Sequence, residues 1–148
     1  MTNLKLRYVS VAALIRYKDN RRFILCERSE TDEFKPKNTV FPSGRLERTE
    51  SIEQRLREEI SSEVPGLQII NSDPVYIGDA QFMRDGYPVT QLCFGLSTYQ
   101  FRLPKSSDEL KRIFWITPSE FYKKYEANDY LAQVHRLVKK AQDINFLR

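Results

Sequence analysis

Phe41 to Leu67 reads FPSGRLERTESIEQRLREEISSEVPGL, and this stretch decides the fold. It predicts the end of a short strand, a Gly-bearing turn at Gly44, and a helix from Ser51 to Val64. Ser51 and Gln54 have capping-box spacing at its start. Ile52, Leu56, Ile60 and Val64 recur every fourth residue as a buried stripe. Pro65-Gly66 stops the helix. Glu59 and Glu63 also stand four apart, so both carboxylates share one face, where like charges repel by about 0.2–0.5 kcal/mol. A divalent cation between them relieves that repulsion. Mg2+ suits the place, because it takes oxygen ligands and commonly joins protein carboxylates to phosphates. Glu59 and Glu63 lie about 100° from Ile60 and Val64 respectively, at one edge of the apolar stripe, where a cleft can form. The bland alternative is a solvated face on which Arg55 pairs with Glu59.

Outward from this helix, the chain alternates strands and turns. Leu4 to Tyr17 is rich in Val, Ile and Tyr and reads as one or two strands. Lys18-Asp19-Asn20 is a turn, Arg22 to Arg28 a strand, Ser29 to Asn38 a polar loop, and Thr39 to Phe41 a short extended piece. After the helix, strand patterns run over Leu67 to Ile70, Val75 to Phe82 and Val89 to Phe101, the last two separated by the turn Asp85-Gly86. Ile113 to Ile116 is a further strand. Thr117-Pro118-Ser119-Glu120 opens a helix, and Asn128 to Phe146 forms another, with Leu131, Val134, Leu137, Val138, Ala141 and Ile144 apolar. No repeat or linker divides the chain, which reads as one domain over residues 1–148. Antiparallel hairpins mixed with helices imply an α/β/α sandwich on a mixed sheet.

Composition excludes several classes. The 148 residues suffice for a core, and 41% hydrophobic with 30% charged residues is globular. No apolar run is long enough for a membrane span. Residues 1–17 lack a small-residue cleavage site and read as a strand rather than a signal peptide. Cys26 and Cys93 sit in apolar runs, which favours buried free thiols and a reducing, cytoplasmic setting, with a disulfide as the alternative. His135 is the single histidine, and a histidine-based triad is not expected. The net charge of +4 attracts polyanions such as a nucleoside diphosphate. The basic residues are scattered rather than run together, and Lys139-Lys140 reads as a solvated face. Tyr76, Phe82, Tyr87 and Phe94 read as core, with stacking on a base as the alternative, and Trp115 as core.

The stretch from Gly44 to Gly66 resembles the Nudix box, G-x5-E-x7-R-E-U-x-E-E-x-G-U with U aliphatic. Gly44, Glu50, Glu59, Ile60 and Glu63 match it. Glu58 stands where the pattern has Arg, Ser62 replaces the first Glu of the final pair, Pro65 replaces Gly, and Gly66 takes an aliphatic position. Beyond the box, Arg28 precedes it as a phosphate-region arginine, Pro42-Ser43-Gly44 resembles the family's Pro-Gly-Gly entry, and Glu109 stands six residues before Trp115. The likeness runs from about residue 8 to 125.

The resemblance implies the Nudix fold and Mg2+- or Mn2+-dependent cleavage of a pyrophosphate bond in a nucleoside diphosphate linked to another moiety. Carried over residue by residue, it makes Glu59, Glu63 and, at Gly44, the turn carbonyl of the Ser43-Gly44 peptide metal ligands. Glu59 or Glu109 becomes the base, Arg28, Lys37 and Arg45 bind substrate, and Gly44, Glu50, Glu58 and Ser62 are the structural positions of the box. Ser62 costs the site one anionic ligand, and Glu58 removes the family's ion pair to position 50; either Arg45, Arg48, Arg55 or Arg57 replaces it, or Glu58 itself reaches the metal. The rival reading is a Nudix-fold module that binds a nucleotide or a protein without hydrolysis. RNA 5′ ends and a second copy of the chain stay open as partners.

Overall fold

The computed structural model describes residues 7–28, 39–47, 49–84, 86–105, 110–127 and 131–148. Seven strands and three helices follow in the order β1 (Tyr8–Tyr17), β2 (Phe23–Arg28), β3 (Thr39–Val40), β4 (Ser43–Arg45), α1 (Ile52–Glu63), β5 (Val75–Arg84), β6 (Tyr87–Thr98), β7 (Leu110–Ile116), α2 (Pro118–Lys124) and α3 (Ala132–Asp143). The sheet is mixed. β1 runs parallel to β6 over its whole length, from Tyr8 beside Val89 to Tyr17 beside Thr98. On its other side β1 takes two partners in turn. It meets β4 at Ser10, Val11 and Ala12, and β2 at Arg16.

Alternation along the central strands divides the core. Val11, Ala13 and Ile15 of β1, with Ile24 and Cys26 of β2, pack with Leu56, Ile60 and Val64 from α1. Ala12, Leu14, Phe23 and Leu25 face the other way, onto Phe121 of α2 and Val134, Leu137, Val138 and Ala141 of α3. The result is the expected sandwich, with the α1 stripe buried as its fourfold spacing predicts and Ile52 half-buried at its start.

Several local expectations are corrected. The Ser51 side chain caps α1 by accepting from Gln54 N at 3.1 Å, but Gln54 does not return the bond. Its amide donates instead to Glu58 Oε1 at 3.2 Å, one turn on. Leu67 to Ile70 is not a strand. Leu67 N bonds back to Val64 O and Ile70 N to Ser97 O, so the segment is tied at its ends and forms no ladder. Ile144 is 45% exposed instead of core, because α3 has ended and Asn145 takes a left-handed φ of 63°. That reversal turns Phe146 and Leu147 inward in its place. Tyr76 and Tyr87 are exposed, Phe82 and Phe94 half-buried, and Trp115 half-buried with its indole N–H donated to Phe101 O at 2.6 Å. At the β5–β6 turn Gly86 has φ 79°, a conformation that favours glycine; Asp85 lies outside the described residues.

Candidate active site

Glycine at position 44 has a steric cause. The expected Gly turn is instead the short strand β4, and the left-handed glycines are Gly66 and Gly86, not Gly44. A Cβ built on Gly44 would overlap the Glu59 carboxyl. The bare Cα of β4 therefore lets Glu59 lie against the sheet. The Gly44 carbonyl accepts a hydrogen bond from Ser10 Oγ at 3.2 Å, and Gly44 stands opposite Val11 in the β1–β4 ladder.

The two carboxylates of α1 lie at the edge of its buried stripe. Glu59 is 15% exposed and Glu63 5%. Arg55, one turn before Glu59, places Nη2 2.6 Å from Glu59 Oε1. Glu63 makes itself felt on β2: burial first, and the Glu63 charge second, push the Cys26 thiol pKa up, while Arg28 opposes them. Glu63 and Arg28 thus act in opposite directions on the Cys26 thiol of β2.

Glu59, Glu63 and Gly44 line a cavity of about 470 Å³, together with Arg28, Arg45 and Arg55. Its other wall is Tyr8, Ser10, Phe82, Arg84, Tyr87 and Val89. Strand register explains this wall. Val89 of β6 lies between Tyr8 of β1 and Phe82 of β5, so these three side chains stand abreast on one face of the sheet. By alternation that is the α2/α3 face, whereas the carboxylates come from the α1 side. The cavity takes residues from both faces at the place where β1 exchanges β2 for β4. Tyr8 and Tyr87 meet edge to face at 5.2 Å, and the Arg45 guanidinium lies 4.6 Å from the Tyr8 ring centre.

The sequence-predicted residues separate on this geometry. Glu59, Glu63, Gly44, Arg28 and Arg45 meet in the cavity. Glu58 and Ser62 do not. Glu58 turns to the outer side, near Glu47, Thr49 and Glu50, and Ser62 is exposed beside Arg57, Glu58 and Ser61. Glu50 accepts a hydrogen bond from Glu47 N and so shapes the loop entering α1. Arg55 is the arginine paired with Glu58, at 3.5 Å, while Arg57 pairs with Glu53. Lys37, Arg48 and Glu109 lie outside the described residues. Sequence reasoning missed Tyr8, Ser10, Arg84 and Val89, and it assigned Phe82 and Tyr87 to the core. The turn at Gly86 signals a hairpin that pairs Phe82 with Val89, but which of these residues stand beside β1 is set by the separate β1–β6 register.

The donor set fits a hard cation. Two carboxylates and a carbonyl supply oxygens only, which suits Mg2+ or Mn2+ keeping several waters rather than a closed protein cage. Among the described residues no group of three or more His, Cys, Asp or Glu side chains is placed to hold a metal. No described helix is long and apolar enough to cross a membrane.

Comparison with known proteins identifies the fold. The chain is similar to the MutT protein from Methanosarcina mazei Go1, with TM-score 0.80 and 21% identity over 97% of this chain and 99% of that one. A NUDIX hydrolase from Nitrosomonas europaea superposes with TM-score 0.72 and 21% identity, covering 95% of this chain and 91% of the other. The NUDIX domain of Shewanella oneidensis NrtR, solved with ADP ribose, gives TM-score 0.70 and 14% identity over 95% and 90% of the two chains. No family model and no curated protein sequence matches. The chain has the Nudix fold.

Proposed function

We propose that this chain, built on the Nudix fold, hydrolyses a pyrophosphate bond in a nucleoside diphosphate linked to a further group, with Mg2+ or Mn2+ as cofactor. The observation that carries the reading is one cavity holding Glu59 and Glu63 on one side, arginines 28, 45 and 55 around them, and an aromatic wall opposite. Glu59, Glu63 and the carbonyl of the Ser43-Gly44 peptide would hold the cation. When bound, such a cation neutralises phosphate oxygens and acidifies a water.

The chain's own groups supply the rest. Arg28 and Arg45 present guanidinium donors that match phosphate oxygens. Glu59, or Glu109 from beyond the described residues, accepts the proton of the attacking water. The water oxygen forms a new bond to phosphorus, the bridging P–O bond breaks, and its electron pair leaves with the departing phosphate. Tyr8, Phe82 and Tyr87 offer ring faces and edges for a base or another flat group. The buried free thiols of Cys26 and Cys93 fit a reducing compartment, and the cytoplasm is the proposed location.

The test is a panel of nucleoside diphosphates linked to sugars, nucleosides or phosphate, assayed for bond cleavage with Mg2+, with Mn2+ and with chelator. Cation-dependent cleavage of one or more members, lost in Glu63→Gln, is expected. Tight nucleotide binding with no cleavage across the panel would make the chain a Nudix-fold binding module instead.

A further inference from the structure

Arg55 stands inside the cavity with its guanidinium between two carboxylates of unequal exposure. Nη2 lies 2.6 Å from Glu59, which is 15% exposed, and Nη1 lies 3.5 Å from Glu58, which is 50% exposed. Its Nε is buried without a hydrogen-bond partner. An unmade bond at a buried donor is unfavourable, so this arrangement persists only because the charge of Glu59 and Glu58 holds the guanidinium there.

We infer that Arg55 is a resident counterion for Glu59, which releases that carboxylate to an incoming divalent cation and transfers onto Glu58. This rests on the reading of Glu59 and Glu63 as cation ligands. A divalent cation on Glu59 repels a guanidinium bonded to the same carboxylate, since like charges lie a few ångströms apart in a half-buried site, and this favours a shift of Arg55 toward another acid. Glu58 is the alternative already in contact. It is three residues from Arg55 and Glu59 is four, so one arginine side chain reaches both without moving the helix. The acid at position 58, which looks like a defect in the box, becomes the receiving partner. Arg55 and Glu58 are then positioning residues that keep the cavity charge-balanced with and without the cation.

Calorimetric titration of Mg2+ into the full chain, with thermal melts in Mg2+ and in chelator, tests this on wild type, Arg55→Gln, Arg55→Lys, Glu58→Gln and the Arg55→Gln/Glu58→Gln double variant. Arg55→Gln should bind Mg2+ about tenfold more tightly, melt lower in chelator, and show a larger rise in Tm with Mg2+. Arg55→Lys keeps the charge and should stay near wild type. Glu58→Gln should bind about threefold more weakly, because Arg55 then has no second partner; this loss should vanish in the Arg55→Gln background. A Glu58→Gln loss of equal size in both backgrounds would overturn the transfer, reducing Glu58 to background charge. Unchanged or weaker Mg2+ binding in a folded Arg55→Gln would overturn the counterion role while leaving Glu59 and Glu63 as ligands. Should Arg55→Gln not fold, an Mg2+ affinity in Glu58→Gln equal to wild type would overturn the inference by itself. No Mg2+ or Mn2+ binding by wild type or any variant would overturn the site reading, and this inference with it.

Discussion

The inner and outer edges of α1 each carry glutamate and end in opposite states. On the inner edge Glu63 is 5% exposed, and Glu59 lies against the bare Cα of Gly44. One position away Glu58 is half exposed and Ser62 faces solvent. A helix turns 100° per residue, so a single step moves a side chain from a cavity lined by arginines to open water. Carboxylates in such a segment cannot be weighed by number. What matters is which of them share an edge with Leu56 and Ile60.

The strongest way to break this contrast is to remove what fixes the inner edge. Leu56→Ala should cost about 2–5 kcal/mol, as for other buried leucines. A loss under about 0.5 kcal/mol in denaturant unfolding would mean that α1 is not anchored through that side. Next, Gly44→Ala should displace the Glu59 carboxyl and weaken Mg2+ binding about tenfold, while shifting stability by less than about 1 kcal/mol. Equal effects on binding and stability would show that position 44 serves folding rather than the carboxylate.

Alkaline unfolding sharpens the comparison through the two thiols. Burial raises the Cys93 pKa from 9.0 to about 12, with a bond at Leu14 opposing. Cys26 is also raised, by burial and then by Glu63. Both are neutral in the fold and ionise sooner when unfolded. Their contribution is therefore complete below pH 9 and is lost as pH climbs toward 12. Stability measured from pH 8 to 11 should fall, and Glu63→Gln should move the Cys26 component alone. An identical pH profile in Glu63→Gln would place Glu63 away from β2. The smallest effect belongs to the outer edge. Ser62→Glu should change Mg2+ affinity by less than about twofold and cost a few tenths of a kcal/mol through crowding with Glu58. A clear gain in affinity would show that the outer edge reaches the cavity after all.

Much of this was legible in the sequence because periodicity reports burial directly. The fourfold recurrence of Ile52, Leu56, Ile60 and Val64 located α1 and its face, and Glu59 and Glu63 followed from their offset to that stripe. The aromatic wall was not legible. Phe82 and Tyr87 flank a hairpin turn, where strand composition looks the same whether a ring packs inward or borders an open cavity. Only the register with β1 distinguishes the two. The need for glycine at position 44 was hidden for a similar reason, since it arises from a contact with Glu59 of α1, well separated from it along the chain. Leu67 to Ile70 shows the converse. Its composition suits a strand, but Leu67 and Ile69 pack onto the α1-side cluster from a segment with no ladder. The apolar pattern reported burial correctly and backbone conformation wrongly.

The parallel ladder between β1 and β6 also bears on how the molecule assembles. Its partners, Tyr8 with Val89 through Tyr17 with Thr98, are roughly eighty positions apart along the chain. Closing so large a loop is entropically costly, and folds dominated by distant pairings reach the native state slowly. The β5–β6 hairpin and α1 draw on neighbouring residues and can organise sooner. Tyr8 and Ser10 come to stand beside Phe82 and Val89 only through that distant pairing. On a ribosome, Tyr8, Ser10 and the carboxylates of α1 would be made well before Phe82 to Val89, and the cavity would close only after β6 had emerged.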